Sequence, residues 1–326
     1  MKRAFVVSFV IVFVLSLWIL NSGSNQPNSL KQSLLHNGIE RDYVLYVPEG
    51  LPENAPLVVV AHGYTSSAEI IMAYSGMNKI ADEEKFLVVY PQGTTDLRGN
   101  NFFNVGYSFH ASSKVDDLDF IKTLVTNLIE EYKINSDHVF ATGMSNGGDL
   151  SYFLACYASD IFTAVAPIAG TMMQTTIENC SPNKPMPIFE IHGDADDVTL
   201  FDGDMADKDG WGPYPDNQTI IDFWVKQNNL ELYDAYKFSD INPNDDSSIT
   251  FHKYWSDMSG NEVWFYVIEN GGHDWPLLKS PFTFWESPLG WWYFSSSNMD
   301  IDTSAEIWNF FKKYSDSVSY THLRAH

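Results

Sequence analysis

The chain has 326 residues, of which 44% are hydrophobic and 15% aromatic, as expected for a globular enzyme with a substantial core. Its 42 acidic residues outnumber its 19 basic residues and give a formal net charge of −23. This balance argues against nucleic acid or an anionic membrane as a partner, and it fits an exported protein that self-repulsion keeps dispersed.

The N-terminal segment has the pattern of a targeting sequence. Met1, Lys2 and Arg3 precede an apolar stretch over residues 4–20, which gives way to polar residues. As a helix this stretch would span roughly 25 Å, less than the ~30 Å core of a bilayer. We therefore predict a signal peptide over residues 1–24, a linker over residues 25–37, and a secreted or periplasmic protein. An uncleaved signal anchor, tethering the protein to a membrane, is the alternative.

Strands are predicted at residues 43–47 and 57–61, and the second of these ends in His62, Gly63 and Tyr64. Acyl transfer develops an oxyanion that needs fixed N–H donors, each lowering the barrier by about 2.7–4 kcal/mol. In α/β-hydrolases the loop after an early strand supplies one donor. The backbone amide of Tyr64 is our candidate, and an ordinary glycine-containing turn is the alternative interpretation.

A third strand is predicted at residues 86–90, followed by a helix that Asp116 or Asp117 caps. Apolar residues recur at helical spacing along it: Leu118, Ile121, Leu124, Val125, Leu128, Ile129 and Tyr132. Strands that alternate with helices indicate a mostly parallel sheet with helices on both faces.

The next motif is a nucleophile candidate. The apolar run over residues 138–142 leads into Gly143-Met144-Ser145-Asn146-Gly147 and then into a helical pattern. Strand, Gly-x-Ser-x-Gly and helix in this order are typical of the nucleophile elbow, a sharp turn that lifts a serine above a sheet edge. We predict Ser145 as the nucleophile and the Asn146 amide as the second oxyanion donor. The five-residue motif alone recurs by chance, so the prediction depends on the later pieces.

Two cysteines follow, Cys156 and Cys180. In an exported chain they can form a disulfide, and two free buried thiols are the alternative.

Residues 187–191 read as a strand that runs into an acidic loop with Asp194, Asp196 and Asp197. A catalytic histidine needs a carboxylate that fixes its tautomer and stabilises the imidazolium. The His-Gly-x-x-Asp spacing from His192 favours Asp196, while Asp194 and Asp197 remain open.

The histidine comes from a glycine loop after the predicted strand at residues 263–268. The chain has nine histidines, and His62 and His192 are predicted to be structural hydrogen-bonding residues within the other motifs. The α/β-hydrolase order Ser…Asp…His selects His273 as the general base.

Aromatic loops follow the predicted acid and base. Residues 201–215 and 275–293 contain Trp211, Trp275 and Trp285, which could stack on a phenolic ring, a sugar or an apolar polymer. Packing of these rings onto the body of the domain is the alternative. The first loop also holds four aspartates: Asp202, Asp204, Asp207 and Asp209. A calcium site is one interpretation, but the loop lacks the EF-hand pattern, so we predict solvated carboxylates and no metal. We also predict no cofactor.

At the C-terminal end, Thr303 and Glu306 form a capping-box pattern for a last helix that ends near Tyr314. Residues 317–326 resemble a translated sequencing adapter, and we predict that this tail has no role in fold or function.

Together these motifs resemble the secreted esterases described as polyhydroxybutyrate depolymerase-like or feruloyl esterase-like, within carbohydrate esterase family 1. The resemblance covers residues 38–314 and depends on the HGY loop, VDD at 115–117, GMSNGG at the elbow, residues 164–170, His192 to Asp196, and GGHDWP. It implies one α/β-hydrolase domain over residues 38–316, metal-free serine chemistry and export. It also implies a triad of Ser145, Asp196 and His273, with Tyr64 and Asn146 as oxyanion donors.

The predicted function is hydrolysis of carboxylic esters through an acyl-enzyme. The substrate classes are feruloyl or acetyl esters of polysaccharides and hydroxyalkanoate polyesters, so the partner is an ester that can be polymeric. A serine peptidase or an acyltransferase of the same fold and a non-catalytic binding homologue are the alternatives. The sequence sets no oligomeric state.

Overall fold

The computed structural model describes residues 28–278 and 298–315. The predicted signal peptide, the predicted C-terminal tail and Trp285 lie outside these residues. Within the two described ranges, no helix combines the length and the apolar character that crossing a membrane requires.

A ten-stranded sheet forms the centre of the domain. Its order across the sheet is β1 (Ser29–His36), β2 (Ile39–Tyr46), β4 (Leu87–Pro91), β3 (Leu57–Ala61), β7 (Val139–Met144), β8 (Ala164–Ile168), β9 (Ile188–Gly193), β12 (Glu262–Glu269), β11 (Ser248–Trp255) and β10 (Leu232–Lys237). The six central strands run parallel: β4, β3, β7, β8, β9 and β12. At each edge, the two outermost strands pair antiparallel with each other and with this central group. A small hairpin, β5 (Thr94–Thr95) and β6 (Asn101–Phe102), lies apart from this sheet.

Helices cover both faces of the sheet. They are α1 (Ala68–Ser75), α2 (Met77–Glu84), α3 (Asp117–Tyr132), α4 (Asn146–Tyr157), α5 (Gln174–Asn179), α6 (Asn217–Gln227) and α7 (Thr303–Ser315). In β3, Leu57 and Val59 join the core formed with α3, α4 and α6, whereas Val58 and Val60 join the core formed with α1, α2 and α7. A pleated strand buried on both faces needs such a continuous apolar run. The predicted α/β-hydrolase architecture is confirmed.

The edges of the sheet correct the predicted domain boundary. Residues 25–37 were predicted to be a linker, but Ser29–His36 pairs antiparallel with β2 along its whole length. Most side chains of this strand are exposed or only partly buried, so the strand needs no continuous apolar run and the sequence gives little signal for it. The side chains of β10 at the opposite edge are all exposed, and that strand also gives no hydrophobic signal.

Side-chain hydrogen bonds at the first turn identify the caps of α3 and α7. Asp116 caps α3, because its Oδ1 accepts from the Asp119 N–H at 2.9 Å. The capping box predicted at Thr303 is wrong, since Thr303 is already the first helical residue. Asp302 Oδ1 instead accepts from the Ala305 N–H, and the carboxylate of Glu306 accepts from the Tyr266 hydroxyl.

A disulfide joins Cys156 in α4 to Cys180 at the end of α5. Because α4 begins at the elbow, this bond ties the segment after β8 to the helix that carries Asn146. A loop of 24 residues closed in this way stabilises the folded state by about 3–4 kcal/mol in the chain-entropy model.

Candidate active site

Ser145 lies in a strained turn between β7 and α4. Its backbone has φ 57° and ψ −121°, a region that non-glycine residues rarely occupy. The Ser145 N–H donates to the Ile168 carbonyl of β8 at 2.9 Å and holds the turn at the sheet edge. A Cβ on Gly147 would lie 2.2 Å from the Ala61 carbonyl oxygen, and one on Gly143 would lie 2.5 Å from the same atom. Only glycine fits at these two positions, so they permit the close approach of β3 to the elbow.

Asn146 is the first residue of α4, where a backbone N–H has no acceptor within its own helix. Its buried side chain accepts from the Phe103 N–H at 2.7 Å and donates to the Phe103 carbonyl at 3.0 Å. These two hydrogen bonds to the Phe103 backbone hold the Asn146 side chain against the segment after β6. The positive end of the helix dipole and the Asn146 N–H therefore both lie beside the Ser145 backbone.

The loop after β3 lies directly against Ser145. A Cβ on Gly63 would lie 3.3 Å from the Cβ of Ser145. The hydroxyl of Tyr64, the next residue, donates to Asp96 Oδ2 at 2.7 Å and accepts from the Asn100 side chain at 2.7 Å. The Tyr64 side chain is thus anchored outside the turn, while its backbone follows the glycine that touches Ser145.

His62 anchors the loop after β3 to Gly93 through hydrogen bonds of its ring. Its Nδ1–H donates to the Gly63 carbonyl at 2.7 Å, and its Nε2 accepts from the Gly93 N–H at 2.9 Å. Burial lowers the pKa of His62 to about 4, so the ring is neutral at physiological pH and suits this donor–acceptor pattern. We assign His62 a structural role on these contacts.

Asp196 and His273 meet at the carboxyl ends of β9 and β12. The Nδ1–H of His273 donates to Asp196 Oδ2 at 2.7 Å. The other oxygen, Oδ1, accepts from the N–H groups of Val198 and Thr199 at 2.8 and 2.9 Å. Burial would raise the pKa of Asp196, but hydrogen bonds from His192 and His273 outweigh it and hold that pKa well below its usual range. A Cβ on Gly193 would lie 2.2 Å from the Gly271 carbonyl, so glycine allows the two loops to approach.

The two competing aspartates point elsewhere. Asp194 Oδ1 accepts from the Asn270 N–H at 2.6 Å, which joins the acidic loop to the start of the histidine loop. Asp197 is exposed. Of the three aspartates, the described structure places Asp196 at hydrogen-bonding distance from His273.

A small cavity of about 20 Å³ lies beside Ser145. Its lining combines apolar side chains with a few polar groups: Tyr107, Ser145, Asp149, Thr171, Met173, Val198, Thr199, Trp211 and Tyr214. Asp149 accepts from the Tyr107 hydroxyl and from the Thr171 N–H, each at 2.6 Å. Burial raises the pKa of Asp149 to about 7. Asp149 is not among the predicted site residues, although its position four residues after Ser145 places the two side chains one helical turn apart, on the same side of α4.

The structure places the three tryptophans predicted to bind substrate in different environments. Trp211 is half-buried, lines the cavity and packs edge-on against Tyr64 and Tyr107. The prediction for Trp275 is corrected: its side chain is fully buried in the core formed with α1, α2 and α7. The ring of Tyr74 in α1 packs against the Trp275 ring, and the Tyr74 hydroxyl accepts from the Trp275 backbone N–H; these long-range contacts hold Trp275 inside. Trp285 lies outside the described residues.

The aspartates of the loop over residues 201–215 serve its backbone. Asp204 Oδ2 accepts from the Asp209 N–H at 3.1 Å, and Asp207 Oδ1 accepts from the Gly212 N–H at 2.8 Å. Among the residues that the structure describes, no group of three or more acidic, histidine or cysteine side chains has the arrangement of a metal site.

Comparisons with known proteins agree with this architecture. Over 264 residues the chain is 30% identical to a protein of Nocardia uniformis subsp. tsuyamanensis that is proposed to be an esterase and called NocK, covering 75% of this chain and 73% of that one. It is 28% identical to poly(3-hydroxyalkanoate) depolymerase C of Paucimonas lemoignei over 71% of this chain and 58% of the depolymerase. It is 29% identical to feruloyl esterase C of Emericella nidulans over 56% and 67% of the two chains.

Among solved structures, the acetyl xylan esterase from Aspergillus awamori matches with a TM-score of 0.53 and 16% identity, over 81% of this chain and 99% of that one. This likeness shows a shared α/β-hydrolase fold. The model of the family described as "Esterase PHB depolymerase" matches residues 41–221, more than half of the chain. The protein is an esterase with the α/β-hydrolase fold and belongs to the esterase PHB depolymerase family.

Proposed function

We propose that Ser145, His273 and Asp196 form a catalytic triad and that the protein hydrolyses carboxylic esters through an acyl-enzyme. The proposal depends mainly on the hydrogen bond of 2.7 Å between His273 and Asp196. This pair lies at the carboxyl edge of the same parallel sheet that presents Ser145 in the elbow. Active sites of α/β folds lie at this edge, and the chain order matches that of α/β-hydrolases.

In the proposed reaction, Nε2 of His273 takes the hydroxyl proton of Ser145 as the serine oxygen attacks the ester carbonyl carbon. The N–H groups of Asn146 and Tyr64 stabilise the oxyanion. The bond to the leaving alcohol then breaks, and His273 donates its proton to that alcohol. His273 then takes a proton from a water molecule, whose oxygen attacks the acyl carbonyl carbon. The bond to the Ser145 oxygen breaks, and His273 returns the proton to that oxygen.

Covalent labelling tests the nucleophile. A fluorophosphonate ester phosphonylates an activated serine, so we expect one equivalent to attach to the tryptic peptide that contains Ser145 and activity to fall in parallel. Mass spectrometry of the labelled peptide and residual turnover of p-nitrophenyl acetate measure both effects. Ser151 in the same helix donates its hydroxyl to the Gly147 carbonyl and serves as the internal control that should stay unmodified. Full labelling elsewhere, or full labelling with activity retained, contradicts the proposal.

The cavity beside Ser145 favours short acyl groups. A volume of about 20 Å³ holds one water-sized group, which corresponds to the methyl end of an acetyl group. The relatives named above include a poly(3-hydroxyalkanoate) depolymerase and a feruloyl esterase. Of the three ester classes, we propose that acetyl and short hydroxyacyl esters suit this cavity and that the ring of a feruloyl group does not enter it.

Acyl-chain selectivity tests this assignment. Because each unaccommodated methylene costs about 1–3 kcal/mol, we expect kcat/KM for p-nitrophenyl acetate to exceed that for the hexanoate by at least about tenfold. Met173→Ala, which enlarges the cavity, should reduce the ratio, whereas Met258→Ala at an exposed methionine should leave it unchanged. A wild-type preference for hexanoate, or identical ratios in all three proteins, contradicts the proposal.

We also propose that the protein is exported. A disulfide persists in oxidising compartments outside the cytoplasm, and the N-terminal sequence has the pattern of a signal peptide.

A further inference from the structure

Two buried titratable side chains lie beneath the Asp196–His273 pair and take no part in the proposed reaction. Glu190 and His192 are two residues apart on β9, so their side chains share one face of the strand. Their exposed fractions are 0% and 1%. Neither lines the cavity beside Ser145, so neither is positioned there to touch an acyl group.

The hydrogen-bond partners of His192 define its protons. Its Nε2 lies 2.8 Å from the Thr199 carbonyl oxygen, which can only accept, so Nε2 carries a hydrogen. Its Nδ1 lies 2.9 Å from Glu190 Oε1, a carboxylate oxygen. Burial alone would lower the pKa of His192, but its contacts with the carboxylates of Asp196 and Glu190 outweigh it and raise that pKa. Burial also raises the pKa of Glu190, to about 7. Above that pH Glu190 is a carboxylate that can only accept, so both ring nitrogens of His192 donate and the ring is an imidazolium.

The same imidazolium holds the catalytic carboxylate. His192 Nε2 lies 3.4 Å from Asp196 Oδ2, the oxygen that accepts from His273. The Thr199 peptide closes the arrangement, because its N–H donates to Asp196 Oδ1 while its carbonyl accepts from His192. If the His192 ring lost its charge or its donor, both the orientation of Asp196 and the charge next to His273 would change.

We propose that His192 is a positioning residue for catalysis: a buried imidazolium that fixes the Asp196 carboxylate and limits how strongly Asp196 holds the protonated form of His273. This inference rests on the proposed triad. A cation close to Asp196 Oδ2 offsets part of the negative charge that favours protonated His273, so it lets the base release its proton at lower pH.

Other titratable groups lie near Asp196 and His273. On the strand face they are Glu190 and, from α4, Asp149, which is bonded to Tyr107. On the loops they are Asp194, bonded to the Asn270 N–H, and Asp274, adjacent to His273 in the chain. All of these groups are acidic. Within the described residues, His192 is therefore the cation that, together with His273, contacts Asp196 Oδ2.

The test is the pH profile of His192→Gln. We expect kcat on p-nitrophenyl acetate to fall between about tenfold and a hundredfold with little change in KM, the range seen when partners that orient catalytic ligands are removed. The acid limb of kcat/KM should move to higher pH. A merely structural role would lower the melting temperature without moving that limb. His36→Gln is the matched control, since His36 also bonds a carboxylate, that of Asp119 at 2.8 Å, but at the far edge of the sheet.

A folded His192→Gln protein with the wild-type acid limb and wild-type kcat overturns the inference. Should this variant not fold, ¹⁵N NMR of histidine-labelled wild-type protein decides the matter without any activity measurement. One ring should remain protonated on both nitrogens at pH 8.5, and a spectrum with only neutral rings overturns the inference. Turnover that persists in a Ser145 variant would instead defeat the proposed triad, so the two failures are distinguishable.

Discussion

Ser145→Ala is expected to lower kcat/KM for p-nitrophenyl acetate by about 10⁴- to 10⁶-fold, because no other group at the elbow can form the acyl-enzyme. The substitution does not change the backbone of the turn, and Gly143 and Gly147 still allow β3 to pack closely against the elbow. The melting temperature should therefore stay close to that of the wild type. Initial rates and a thermal unfolding scan on the same preparation measure the two quantities.

Ser151→Ala is the matched control for this variant. It removes a buried hydroxyl from the same helix and one hydrogen bond to the Gly147 carbonyl, and we expect it to retain most of the activity. If Ser145→Ala keeps substantial turnover while folded, the serine mechanism is wrong.

Asp196→Asn is expected to lower kcat by about 10⁴-fold with a small change in KM. An asparagine can present its NH₂ group to Nδ1 of His273 and so favour the wrong tautomer, in which Nε2 carries the hydrogen and cannot take the serine proton. The carboxylate also accepts from Val198 and Thr199, so some loss of stability accompanies the change. Steady-state kinetics together with denaturant unfolding separate the two effects.

The neighbouring aspartates supply the comparison. Asp197→Asn changes an exposed side chain and should behave like the wild type. Asp194→Asn weakens the contact with the Asn270 N–H and should cost some stability while kcat falls far less than in Asp196→Asn. A larger loss of kcat in either of these two variants than in Asp196→Asn would assign the catalytic acid differently.

The central strands could be predicted from the sequence because each is a short apolar run buried on both faces, as in LVVVA of β3. The edge strands could not be predicted in this way. The side chains of β10 are exposed and those of β1 only partly buried, so hydrogen bonds to neighbouring strands define them. Trp275 shows the same effect for a single residue, since its burial depends on Tyr74, 201 positions earlier.

Local sequence patterns specify the chemical types at the site and their order: a serine in a glycine-bounded elbow, an acidic loop, then a histidine on a glycine loop. These are local patterns, and the backbone geometry that they require is encoded within a few residues. The folded structure alone shows which aspartate meets His273, that Asp149 lines the cavity beside Ser145, and that His192 contacts both Glu190 and Asp196. Those relations depend on distances between side chains from separate strands and helices, which packing of the whole sheet sets and no local pattern contains.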